Sequence, residues 1–436
     1  ETYSRANFYG EVLYNTAREF FYPLQGEEKY CTEGFKEIAL IYGVTEDSYS
    51  KTSNGLNRIR HQEVGGTPSR TVKAISEREG SMIAEHLEEQ AIQIFQESGF
   101  TPEGEPKSAI LESLSESITI EEDGVNEPLI LDVLSTPWQM ELLPDPLLDG
   151  AAPESIEASG EGIGTPVVND LVKRHGLCDA SRLEMLKNPV PYEEGEDTVN
   201  ISVDEVGAKK QKETRAPTPV PKSPGKKNRL YVQNAVIHVE QGDQSYVLNG
   251  YSVACVLRLL LAFLLNSDLL DPTWVFFVDG NGLYSSVMQF FFWHPKVSVI
   301  LDWYHLRKKC RELLSMALKG SPISKAVLGK LMPLLWYGLV DQAIDYLRNL
   351  PEDQIKNQEK LQQLIAYLDK NRVMIPVYAV RRELGLRNSS NRVEKANDVL
   401  VAARQKHNGM SWSKSGIVAL ASITGLKKNK TYKTWF

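Results

Sequence analysis

Thr273-Trp274-Val275-Phe276-Phe277-Val278-Asp279-Gly280-Asn281-Gly282-Leu283 is the stretch on which the fold turns. A β-branched and aromatic run reaches an Asp-Gly pair without interruption, which predicts a buried strand stopped by a turn. Leu283 to Trp293 follows with apolar residues at helical spacing, and Val297 to Leu301 is another short buried run, ending at Asp302. Strand, helix and strand at this spacing predict a β-α-β unit with parallel strands.

Working outward, Val199 to Val206 predicts a strand with Asp204 near its end. Ala208 to Asn228 is a Lys/Pro-rich excursion, and Leu230 to Val239 alternates with Gln244 to Leu248 as a hairpin around Gly242-Asp243. A helix over Tyr251 to Leu265 completes an α/β pattern, a mixed sheet flanked by helices. Residues 306–386 read as wholly helical, with Pro322, Pro333 and Pro351 as breaks. Ser389 or Ser390 then caps a last helix running to about His407 and stopped by Asn408-Gly409.

The chain of 436 residues is long enough for two or three domains, and its 42% hydrophobic and 24% charged content is that of a soluble globular protein. The most apolar stretch, Val253 to Leu265, is too short to span a bilayer and carries Arg258, so no membrane role is expected. Cys31, Cys178, Cys255 and Cys310 form no Cys-x-x-Cys pair, which argues against a zinc site or a disulfide framework and fits a reducing cytoplasm. Glu1 opens the chain where a Met would be expected, so a start further upstream is anticipated, and no leader segment follows it.

Charge is unevenly spread. Residues 1–205 hold 15 Lys+Arg against 40 Asp+Glu, a net of −25, and residues 206–436 hold 34 against 17, a net of +17, which together give the overall −8. Val401 to Phe436 contains seven basic residues and no acid. A polyanion such as double-stranded DNA would be drawn to the second half.

The divisions expected are a helical region over 1–100, an acidic linker or connecting module over 101–197, a strand-rich core over 198–305, the helical insertion over 306–386, and a last helix with a basic tail over 387–436. Within the first, Ser48 to His61 predicts a helix, Gly65-Gly66 a turn, and Thr67-Pro68 the cap and first position of a short polar helix. That is helix-turn-helix grammar, and it would offer Ser69, Arg70, Thr71 and Lys73 to the major groove.

Asp204, Asp279 and Glu394 are spaced so that two strand ends and a late helix could bring three carboxylates together. Magnesium takes one or two carboxylates and completes its shell with water and phosphate, with manganese able to substitute. Two such ions can serve the attacking and leaving oxygens of phosphoryl transfer. Asp302 also ends a strand and competes with Asp279 as the second ligand.

Val203-Asp204-Glu205, Val278-Asp279-Gly280-Asn281-Gly282-Leu283, Leu301-Asp302-Trp303-Tyr304-His305, Ser390-Asn391-Arg392-Val393-Glu394-Lys395-Ala396-Asn397 and Arg404-Gln405-Lys406-His407-Asn408-Gly409-Met410-Ser411-Trp412-Ser413 together resemble a bacterial insertion-sequence DDE transposase. The likeness is to the ISKra-like and ISLre-like groups, allied to the Mutator-like superfamily, and runs from about Val199 to the end. It implies an RNase H-like fold with Asp204 on the first strand, Asp279 after the fourth and Glu394 on a late helix as metal ligands. It also implies metal-dependent cleavage at the terminal repeats of a mobile element, strand transfer into target DNA, and work as an oligomer at the bacterial nucleoid.

The Asp302 to His305 element is similar to the Cys/Asp-x-x-His motif of Mutator-like and hAT-like enzymes, and His305 would contact the scissile phosphate. Arg392, Lys395 and Arg404 would neutralise phosphates around Glu394, as Lys308, Lys309 and Arg311 would after His305. Trp412 would stack on a base or sugar, or else close the last helix as a buried side chain. Two alternatives stay open: a catalytically inactive transposase-derived DNA-binding protein, and an RNase H-like nuclease that cuts without joining.

Overall fold

The computed structural model describes residues 5–6, 12–14, 33–61, 66–114, 164–190, 192, 198–211, 231–280, 282–389, 405 and 411–431. A small antiparallel pair, β1 (Arg5–Ala6) with β2 (Val12–Tyr14), lies near the N-terminus. Three helices follow, α1 (Glu33–Thr45), α2 (Tyr49–Ile59) and α3 (Ser69–Glu97), and they pack on one another.

Ser48 caps α2 by accepting from Lys51 N at 3.1 Å. The start of α3 differs from expectation. Pro68 is the cap residue, and Thr67 stands before it, tied to α2: its N–H donates to Asn57 Oδ1 at 2.8 Å and its carbonyl accepts from Ser53 Oγ at 2.6 Å. Nor is α3 short and polar. It runs for 29 residues, because Val72, Ile75, Ile83, Ala84, Ala91 and Phe95 supply a buried stripe that the Glu-rich composition hides.

The central sheet is mixed, with strands β3 (Thr198–Lys209), β4 (Tyr231–Gln241), β5 (Gln244–Gly250), β6 (Thr273–Val278) and β7 (Val297–Leu301) in the order β5-β4-β3-β6-β7. β3 is antiparallel to β4, β4 to β5, and β3-β6-β7 run parallel. Gly242 turns the β4–β5 hairpin with φ 53°, a conformation open to glycine at little cost. Helices α6 (Val253–Asn266) and α7 (Leu283–Phe291) link β5 to β6 and β6 to β7. The structure is therefore α/β.

Two cores flank the sheet. Val199, Ile201 and Val203 of β3 join the larger, with α6, α7 and the helices after β7, whereas Val206 and Ala208 join the smaller, with α1–α3, Trp412 and α13 (Lys414–Asn429). α3 packs along α13 and α6, so the N-terminal helical region shares its core with the C-terminal end of the chain. Within the expected acidic linker, α4 (Gly164–His175) and α5 (Asp179–Leu186) are ordered helices whose Val168, Leu171, Val172 and Met185 enter the larger core.

After β7 come α8 (Trp303–Ala317), α9 (Ser321–Trp336), α10 (Val340–Arg348), α11 (Gln358–Lys370) and α12 (Tyr378–Glu383). Pro322 sits in the first turn of α9 and Pro351 between helices, but Pro333 lies inside α9 rather than ending it. Its neighbours Leu331, Leu334 and Leu335 are buried, and their packing holds the turn that lacks one hydrogen bond. Among the described residues no helix is long and apolar enough to cross a membrane.

Candidate functional site

The parallel ladder levels the strand-end carboxylates. The parallel pairing of β3 with β6 ends at Ser202 opposite Phe277, and Asp204 and Asp279 each follow two residues further on, at the same end of the paired segment. Val278 pairs with Leu301, and the amide of Asp302 donates to the Val278 carbonyl at 2.9 Å, which levels Asp302 with Asp279. Three neighbouring strands thus carry an Asp at one step of the sheet. This is the carboxyl rim, where open α/β sheets place ligands.

Their side chains meet different fates. Asp279 is exposed and Asp204 half-buried, with Asp204 Oδ1 accepting from Glu205 N at 2.7 Å. β3 runs on past Asp204 to Lys209 with β4 alone, so Asp204 stands where the sheet narrows. Asp302 is only 1% exposed and caps α8: its Oδ1 accepts from His305 N at 2.9 Å, and its Oδ2 accepts from Ser389 Oγ at 3.0 Å. His305 Nδ1 lies 3.2 Å from Asp302 Oδ1. The Asp-x-x-His spacing is here the spacing between an N-cap and the third residue of its helix. Both Asp302 oxygens are thereby engaged in holding the chain.

Tyr367 and Asn371 also belong to this rim, and no pattern in the sequence singles them out. A Cβ on Gly280, whose φ is 107°, would meet Leu301 Cδ1 at 3.1 Å and both Asn371 Oδ1 and Tyr367 Oη at 3.3 Å. Gly280 is thus required because the end of α11 closes on it. Burial raises the Tyr367 phenol above its ordinary range, with Cys310 and the charges of Asp279 and Asp302 adding to it, so the hydroxyl stays protonated beside the two carboxylates.

Residues 386–389 are pinned to the same rim. Asn388 accepts from Trp303 N at 3.1 Å and donates its amide to the Tyr378 carbonyl at 2.8 Å, while Tyr378 Oη donates to the Leu301 carbonyl at 2.7 Å. Arg387 pairs with the buried Glu240 of β4. Glu394, Arg392, Lys395 and Arg404 lie outside the described residues.

Asp204 and Asp279 offer hard oxygen donors from adjacent strands with access to solvent, which suits a magnesium ion that keeps most of its shell as water and phosphate. Among the described residues no group of three or more His, Cys, Asp and Glu side chains gathers closely enough to enclose a cation. Asp302 is taken up by the α8 cap and Ser389.

The expected DNA contacts fall on separate elements. Arg70 is exposed, and Ser69, Thr71 and Lys73 are half-buried in the first turns of α3, with Lys73 Nζ 3.7 Å from Glu77. Lys308 and Arg311 are exposed and Lys309 half-buried on α8, one to two turns beyond His305. Of its two readings, stacking platform or buried side chain, Trp412 takes the second. It is 3% exposed in the smaller core, against Tyr49, with its Nε1 donating to the Gln405 carbonyl at 3.1 Å, and it has no face to offer a base.

No family model and no curated protein matches the chain. Among solved structures, a Drosophila P element transposase strand transfer complex is similar at 12% identity, over 73% of this chain and 87% of that one, with a TM-score of 0.20. A superposition that loose does not define a shared fold.

Proposed function

We propose that the protein is a DDE transposase related to the ISKra-like and ISLre-like insertion-sequence enzymes, with an RNase H-like catalytic core acting on double-stranded DNA. The observation that carries this reading is the parallel register that ends at Ser202 opposite Phe277, two residues short of both Asp204 and Asp279. Counted along the chain, Asp204 then stands on the sheet's first strand, Asp279 after its fourth and Asp302 after its fifth, the positions the motifs imply.

Asp204 and Asp279 would hold magnesium with Glu394. Ser389, five residues before Glu394 in the chain, is hydrogen-bonded to Asp302 at the rim. The bound ions would supply activation of the attacking oxygen and stabilisation of the leaving one. Asp302 sets the start of α8 and thereby the place of His305, which would donate to a phosphate oxygen. Lys308, Lys309 and Arg311 would neutralise the flanking backbone, and Arg70 and Lys73 a more distant stretch. Acting at two element ends, the protein would work as an oligomer on DNA.

The test is magnesium-dependent nicking and joining of duplexes that carry the element ends. Asp204→Asn, Asp279→Asn and Glu394→Gln should each lower cleavage by a thousandfold or more while salt-dependent DNA binding stays within about twofold, since binding comes from cations on phosphate. Cleavage by Asp279→Asn at the wild-type rate would remove Asp279 from the site. Cutting without joining would make the protein a nuclease, and no cutting by the wild type a DNA-binding relic.

A further inference from the structure

Behind the carboxylate rim lies a groove of ≈ 940 Å³ between the end of α4, the start of α8 and the last turns of α9. Its volume is within the roughly 300–1,000 Å³ of small-ligand sites. Trp303, Trp336 and Tyr337 give it aromatic walls, and Met332 and Pro333 extend the apolar surface. Lys173, Arg174 and His175 line the other side, and among the described residues no acidic side chain lines it.

The two sides are independently held. Trp303 and Trp336 meet edge to face at 4.9 Å, and Trp336 lies parallel to the buried Tyr378 at 5.9 Å, so the indoles are backed by the core. Arg174 is bound by Asp170 at 2.6 Å and Glu383 at 3.2 Å, which fixes the end of α4 and leaves the Lys173 ammonium, with the His175 ring beside it, to meet a ligand. His175 sits 5.9 Å from the Tyr337 ring, bringing the polar and aromatic sides together. Gly176, at φ 59°, lets Leu177 N close back on the Val172 carbonyl at 3.0 Å, which occupies one of the carbonyls that would repel an anion there.

We infer that this groove is a nucleotide site: a planar base packs against Trp303 and Trp336, and its phosphate is met by Lys173 and His175. A ring face attracts any base, and cations at the rim select the phosphorylated form. The same chemistry is offered by a free mononucleotide and by an unpaired nucleotide in a DNA strand. Such binding needs neither metal nor cleavage, so it stands or falls apart from the reaction proposed above.

Titration of the full chain with dAMP, adenosine, inorganic phosphate and a single-stranded dA10, followed by tryptophan fluorescence and calorimetry without metal, tests it. The expected result is saturable quenching by dAMP, with adenosine and phosphate at least tenfold weaker. Lys173→Glu on the exposed rim should weaken dAMP at least fivefold, and Trp336→Phe, which keeps the core filled, should weaken dAMP and adenosine alike. If dA10 binds at least tenfold more tightly than dAMP and competes with it, the source is a strand; equal affinities identify a free nucleotide. Absence of dAMP binding, equal binding of adenosine and dAMP, or unchanged dAMP affinity in Lys173→Glu overturns the inference.

Discussion

Substituting Gly80 with Ala separates two effects that usually travel together. In a helix interior Ala is favoured over Gly by about 1 kcal/mol. At Gly80, however, α3 crosses α13, and a Cβ there would lie 2.3 Å from the Ala419 carbonyl oxygen and 2.6 Å from its carbon. Backbone cannot swing aside as a side chain would. Ordinary contact begins near 3.5 Å, so the helices must part by about 1 Å, and a gap of that size forfeits a quarter to a half of each dispersion contact along the crossing. The smaller core, with Ile83, Ile417, Leu420 and Ile423, depends on those contacts. Overpacking of this kind costs up to about 3 kcal/mol, which exceeds the helical gain and leaves a net loss of up to about 2 kcal/mol. Gly55, inside α2, has nothing within 4 Å of the added carbon, so Gly55→Ala should stabilise by about 0.5–1 kcal/mol. Urea denaturation followed by circular dichroism should therefore move the two midpoints in opposite directions. A Gly80→Ala midpoint at or above wild type would refute the close crossing, and with it the common core of the two chain ends.

Two further predictions concern carboxyl groups. Asp302→Ala should destabilise the fold by about 1–3 kcal/mol, because it leaves the α8 cap and the Ser389 hydroxyl without their acceptor, whereas Asp279→Ala at the exposed rim should change stability by less than about 0.5 kcal/mol; equal thermal shifts would contradict the division of roles. Glu184 accepts from Asp341 N at 2.7 Å and Gln342 Nε2 at 3.1 Å, yet burial foremost, with the Asp341 charge, pushes its carboxyl up from 4.5 to about 7. Between those values the folded state binds the extra proton, so this contribution, about 3 kcal/mol at most, is present in full below about pH 4.5 and is lost as pH rises through 7. Melting temperatures from pH 5 to 8 should fall less steeply in Glu184→Gln, and identical slopes would remove Glu184 as the cause.

The local elements were legible in the sequence because their causes are local. Thr273–Val278 and Val297–Leu301 are where the apolar runs place them, and the hairpin turns at Gly242-Asp243 as its composition demands. The α/β class and the Asp residues that follow Val278 and Leu301 came from the same patterns, whereas β3 runs on to Lys209 and leaves Asp204 inside the strand. What periodicity cannot carry is the partner. The register that brings Asp204 and Asp279 to the same end of the β3–β6 pair depends on how the two strands slide against each other, which is fixed by packing on both faces at once. Asp302 read as a ligand because an Asp at a strand end looks the same whether it faces solvent or the first turn of the next helix. Only the burial of that turn, with Ser389 arriving from 87 residues away, decided for the cap. Trp412 likewise reads as a stacking platform until the smaller core covers it, and Tyr367 as one more helical residue until Gly280 admits it to the rim. Strands, turns and charge come from neighbours in the chain; register, capping and crossing come from residues far apart in it, whose meeting is set by the shape of a filled core.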